Sequence, residues 1–292
     1  MTHVAKMMGV AGKILLCLLV TLIVAFPLVS VTFVYLWKTG VIDTTQLFEQ
    51  VSTDYVLTIV FGIVQAIAFI LSTFTVYMLF ERRKRWRLGW QSQSRFAETA
   101  KGMLIGIGLI SLAFVSIWIV GGLTVTDFQW NNAVIRSIGL FALLFAFVAV
   151  SEELFARGYV QGLIKCHFGT GPALVVTSLL FAALHALNPG VFASPLPILN
   201  LFLAGLLLGV SREVSGSLWL PIGFHFTWNL LQGSVIGFPV SGMQVESVVV
   251  LETAGSNIVS GGSFGAEGSV MTTVVLLVGT FLLYRLYPTR IT

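Results

Sequence analysis

The run IGLFALLFAFVAVSEELFARGYVQGLI, residues 138–164, decides how the rest of the chain is read. It is long and apolar enough to cross a bilayer, which takes roughly 20 mostly apolar residues. Yet its centre carries Ser151, Glu152, Glu153 and Arg157. Ionisable groups at that depth cost on the order of 3 kcal/mol or more each, so they face a wet cavity or one another and not lipid. Helix geometry separates their roles. Glu153 and Arg157 stand four apart on one face and can pair. Glu152, turned by about 100° from Glu153, is left to act on water.

The surroundings agree with a membrane. Of 292 residues, 57% are hydrophobic and only 10% charged, with a mean hydropathy of +0.95. A soluble domain carries about 25% charged residues, and here too few remain to cover a water-facing surface. Apolar runs fall at about 14–37, 56–80, 103–121, 134–164, 172–187, 196–211, 217–238 and 269–287. They are continuous, without the alternation of barrel strands. The expected fold is an all-α integral membrane protein: about eight transmembrane helices around a polar intramembrane cavity. The runs 172–187 and 196–211 are short enough to be tilted, broken or partly re-entrant.

Charge sorts onto two faces. With the N-terminus inside, fourteen of the sixteen Lys and Arg fall on or near the inner side, leaving Lys38 and Arg136 outside. Asp43, Glu49, Asp54, Asp127, Glu246, Glu252 and Glu267 also fall outside. That asymmetry predicts both termini in the cytoplasm. The basic run 81–87 reads as a stop-transfer and headgroup anchor, so the sequence pI near 9.2 reflects topology and lipid and calls for no nucleic acid. Cys17 and Cys166 are too few and too far apart for a disulfide framework or a thiolate metal site.

Two portions follow. Residues 1–133 form N-terminal helices with a basic cytoplasmic loop at 81–102, read as scaffold. Residues 134–292 form the catalytic core, with an outer Gly/Ser-rich loop at 239–268 that reads as irregular and as a lid. No internal repeat stands out, against an inverted-repeat transporter. Within the core, Phe181-x-x-x-His185 and His225-x-x-x-Asn229 add two imidazoles and a carboxamide at depths near that of Glu152. Either motif alone is as well explained by structural hydrogen bonding. Together with the glutamates they suit peptide hydrolysis. Glu152 and His185 can hold and deprotonate a water, and His225 and Asn229 can donate to an oxyanion. No Ser in a nucleophile elbow and no Cys–His pair argues for covalent catalysis.

Glu-Glu-x-x-x-Arg at 152–157, Phe-x-x-x-His at 181–185 and His-x-x-x-Asn at 225–229, in that order on successive segments, resemble the CAAX protease and bacteriocin-processing (CPBP) family, that of the type II CAAX prenyl endopeptidases. The similarity covers about 135–287, and segments 237–242 and 262–268 also look like bacterial members. The resemblance implies an α-helical intramembrane endopeptidase in a bacterial plasma membrane. It assigns water activation to Glu152 and His185 and the oxyanion site to His225 and Asn229. The expected substrate is a membrane-associated or prenylated-type protein or peptide, and the other partner is lipid. A metal-independent mechanism with no cofactor is favoured, because His-Glu-x-x-His is absent. A zinc-dependent version using Glu152, His185 and His225 stays open. So does a non-catalytic reading, as an immunity or peptide-binding membrane protein or a transporter.

Overall fold

A computed structural model describes residues 2–46, 50, 54–84, 86–90 and 93–287. Glu49, Arg85 and Arg290, sorted onto faces above, lie outside these. The chain is mostly helical. Helices α1 (His3–Lys38), α2 (Tyr55–Phe80) and α3 (Arg95–Ile119) precede a short strand, β1 (Leu123–Phe128). One continuous helix follows: α4 (Asn132–Glu153), a π-helical stretch Leu154–Val160 and α5 (Gln161–Phe168). Then come α6 (Thr170–Leu184), α7 (Pro195–Ser215), and α8 (Trp219–Leu230), which runs into a second π-helical stretch, Leu231–Ile236. Strand β2 (Val249–Thr253) and α9 (Val270–Leu286) complete the order. Among the described residues five helices are long and apolar enough to cross a membrane: α1, α2, α3, the continuous helix 132–168, and α7.

Local chemistry sets the helix starts. Asp54 caps α2 through Val56 N at 2.8 Å, and Asn131 caps α4 through Ala133 N at 2.9 Å. Ser194 caps α7, with Pro195 in its first turn where a missing N–H costs nothing. Helix α6 ends at Leu184, so His185 is its C-cap residue and does not lie inside a span as expected.

A small two-stranded sheet, not expected from the sequence, accompanies the helices. Strands β1 and β2 pair antiparallel, Leu123 opposite Thr253, with an irregularity between Val125 and Asp127. Strands of five and six residues separated by more than a hundred others leave no mark in a search for long apolar runs. The 239–268 loop is also more ordered than its composition predicted. Besides β2 it holds a helical turn at Asn257–Ser260 and 3-10 turns at Gly262–Phe264 and Ala266–Gly268. Gly265, at φ +83°, lies so close to Pro239 that an added Cβ would stand 2.1 Å from the Pro239 carbonyl oxygen.

Two contacts fix the bundle around the core. Helices α3 and α8 touch backbone to backbone: a Cβ on Gly102 would fall 2.0 Å from Leu220 O, and one on Gly223 would fall 2.2 Å from Thr99 O. Small residues permit such approach where no hydrophobic force drives helices together. The continuous helix and α7 form a ladder. Arg157 Nη2 donates to Gly205 O at 3.2 Å, Gln161 Nε2 to Gly209 O at 3.1 Å, and Lys165 pairs with Glu213 at 2.5 Å. Partner numbers rise together, so the two helices run parallel.

At the end of the bundle where Lys165 and Arg212 lie, residues 86–90 tuck inward. Trp90 and Trp219 rings sit 4.7 Å apart, and Trp219 Nε1 donates to Trp90 O at 2.9 Å. Trp86 packs on Tyr77 at 5.2 Å and on the fully buried Tyr159 at 6.1 Å.

Gly223→Ala pushes a methyl into the α3 backbone and is expected to cost about 1–3 kcal/mol, as overpacking does. Gly108→Ala, whose Cβ would meet nothing within 4 Å, is the matched control. Thermal unfolding of the detergent-purified proteins should show a lower Tm for Gly223→Ala only.

Candidate active site

The π-helical stretch begins directly after Glu152 and Glu153, a placement frequent at functional sites. Glu153 and Arg157 are completely buried and joined at 3.0 Å (Nη1 to Oε1), the expected pairing. The same carboxylate oxygen also accepts from His225 Nδ1, on α8, at 2.9 Å. Sequence reasoning assigned Glu153 the first partner and missed the second, because nothing in the spacing of 153 and 225 announces it. Phe181 forms the floor between these groups. Its ring lies 4.4 Å from the Arg157 guanidinium carbon, 4.6 Å from the His185 ring and 6.1 Å from that of His225.

Glu152 points away from this cluster, as its rotation on the helix demanded. Its Oε2 is buried with no hydrogen-bond partner and stands 4.0 Å from His185 Nε2. Glu153 Oε2 is likewise unpartnered, so what sets Glu152 apart is its place on the cavity wall facing His185. His185 Nδ1 lies 2.8 Å from Phe181 O. A carbonyl can only accept, so Nδ1 carries the proton and, in the neutral ring, Nε2 presents a lone pair toward Glu152.

Glu152, His185, His225 and Asn229 all line one cavity of about 370 Å³. A second cavity of about 290 Å³ shares Glu152 and His185 and is also lined by Phe69 on α2, Phe155 and Leu184. The six residues singled out from the sequence are thus brought together. The structure adds Glu267, which lines the larger cavity. Its Oε2 accepts from Ser241 N and Oγ, both at 2.8 Å, and its backbone carbonyl accepts from Asn200 Nδ2 at 2.8 Å. Burial pushes the Glu267 carboxyl above the usual carboxylate range, against the Ser241 hydrogen bond and the His185 imidazole, which pull it down. The available signal was one acidic residue inside a glycine-rich turn, 262–268, and a polar Asn200 inside an apolar run.

Among the described residues no group of three His, Cys, Asp or Glu side chains is placed to hold a metal ion. His225 Nδ1 is bonded to Glu153. Cys17 and Cys166 are free thiols.

Residues 134–231 match the family described as type II CAAX prenyl endopeptidase Rce1-like. The matched span, about a third of the chain, contains Glu152, Glu153, Arg157, His185, His225 and Asn229. It bears out the resemblance carried by the three motifs and points to a CAAX-type intramembrane protease. With the apolar helices, it supports a multi-pass membrane protein. No curated protein matches the chain.

Arg157→Ala strands a buried carboxylate, a loss of roughly 3–5 kcal/mol when one partner of a buried pair is removed. Adding Glu153→Gln removes the stranded charge. The expected Tm order is wild type, then the double variant, then Arg157→Ala. A double variant no more stable than Arg157→Ala would show that Glu153 is not the partner that matters.

Proposed function

We propose that this protein is an intramembrane endopeptidase that cleaves a membrane-associated peptide with water activated by Glu152 and His185. The observation that carries the reading is the unpartnered Glu152 Oε2 facing the His185 Nε2 lone pair, in a cavity that also displays His225 and Asn229. Two acceptors 4.0 Å apart can each take a hydrogen bond from one water. Glu152 removes a proton as the water oxygen attacks the scissile carbonyl carbon, and His185 holds the other hydrogen. The carbonyl oxygen becomes an oxyanion and takes hydrogen bonds from Asn229 Nδ2 and His225 Nε2–H. His225 can donate there only when doubly protonated, since Nδ1–H is given to Glu153. Glu153 supplies the charge that balances that imidazolium. Collapse of the tetrahedral intermediate breaks the C–N bond, and Glu152 returns its proton to the leaving amine.

The same reading completes the topology. Parallel α4–α5 and α7 require α6 to return across the layer between them, and α8 and α9 then supply two more crossings. Eight spans result, with both termini on the basic, cytoplasmic side.

Glu152→Gln keeps shape but removes the base. Cleavage of a membrane-tethered peptide reporter should fall by roughly 10²–10⁴ in a protein that still inserts and purifies normally. His185→Ala should be comparably severe, and Asn229→Ala should cost on the order of 10²–10³. Full activity in a well-expressed Glu152→Gln protein would end the enzymatic reading. Purified active protein should keep its activity in a strong chelator; loss restored by stoichiometric zinc would replace the metal-independent route.

A further inference from the structure

The larger cavity reaches the loops of only one end of the bundle. Asn188 and Pro189 follow α6, Val240, Ser241 and Met243 follow the second π-helical stretch, and Glu267 precedes α9. These segments belong to the end that carries β1 and β2. Among the described residues neither cavity has a lining residue from the opposite end, that is, from 81–84, 86–90, 93–94, 165–170 or 212–218. That end is closed by packing. The Trp90–Trp219 and Trp86–Tyr77–Tyr159 contacts fill it, and Leu218 N donates to Gly89 O at 3.0 Å. Glu81, fully buried, is clamped there by Lys13, Lys84 and Trp86.

Charge tells the two ends apart. Among the described residues the closed end carries Lys6, Lys13, Arg82, Arg83, Lys84, Arg87, Arg95, Lys101, Lys165, Arg212 and Arg285 against Glu81, Glu98 and Glu213. The open end carries Lys38 and Arg136 against Asp43, Asp54, Asp127, Glu246, Glu252 and Glu267. Basic loops stay in the cytoplasm. We infer that the cavity opens on the extracytoplasmic side, so that the substrate is a juxtamembrane peptide segment already exposed outside and not the C-terminus of a cytoplasmic protein. This rests on the reading of the cavity as the proteolytic site. The smaller cavity, walled by Phe69, Phe155 and Leu184, gives the membrane-embedded part of such a substrate an apolar flank beside Glu152.

Cysteine accessibility in intact cells tests it on the full chain, with Cys17→Ser and Cys166→Ser as background. Asn188→Cys in the cavity wall and Gln244→Cys beside the mouth should react with a membrane-impermeant maleimide before permeabilisation. Arg83→Cys should react only after it. The reverse pattern overturns the inference, and so does an Asn188→Cys that needs permeabilisation while Gln244→Cys does not. Met243→Cys, in the same wall, repeats the measurement should Asn188→Cys fail to accumulate. Labelling needs no turnover. An active enzyme labelled from the cytoplasmic side sinks this inference alone, whereas correct labelling in a protein whose cleavage ignores Glu152→Gln sinks the proteolytic reading alone.

Discussion

One carboxylate oxygen, Glu153 Oε1, receives hydrogen bonds from Arg157 and from His225. A lone charge at that depth is expensive to keep, and a guanidinium beside it makes burial tolerable only when geometry and hydrogen bonding are good. Here the guanidinium is itself held, by the Gly205 carbonyl and the face of Phe181. The result ties α4, α7 and α8 together through polar contacts in a setting where apolar packing alone distinguishes partners poorly. It also sorts the two adjacent glutamates. Glu153 gives Oε1 to structure and to orienting His225, whereas Glu152 lies on the cavity wall with Oε2 toward His185.

How much of this was legible follows from the range of each interaction. The Glu153–Arg157 pair and the freedom of Glu152 are local consequences of helical rotation, and both were readable at four-residue spacing. The convergence of 152, 185, 225 and 229 was readable as depth, since each polar residue in an apolar run has few places to go. The bond from His225 to Glu153 was not readable, because two residues 72 apart meet through packing that no periodicity encodes. The β1–β2 pairing and Glu267 were missed for the same reason. The Gly102–Gly223 contact left a trace, glycines at 102 and 106 on an apolar helix, but its partner on α8 could not be named from sequence.

The outer loop shows how composition misleads. Gly and Ser at 239–268 suggested an irregular chain serving as a lid. Instead, the small residues let carbonyls approach within the reach of a Cβ, as Gly265 does with Pro239. Asn200 then pins the Glu267 and Ser269 carbonyls from α7, at 2.8 and 2.9 Å. A wall built this way presents the Glu267 carboxylate to the cavity from a loop that a membrane-spanning helix holds in place.

The ladder between residues 157, 161, 165 and residues 205, 209, 213 advances by four on both helices. An α-helix repeats every 3.6 residues, so each four-residue step overshoots a full turn by about 40°. On α7, an ordinary α-helix, residues 205, 209 and 213 take this drift in full. The π-helical stretch Leu154–Val160 holds more residues per turn and so changes the rotation between Arg157 and the α5 residues Gln161 and Lys165. The widened turn thus works as a phase corrector between two halves of one helix. The half that carries Glu152 takes its angle from the cavity, and the half below takes its angle from α7. Removing a single residue between them would leave each half intact and put the two out of step.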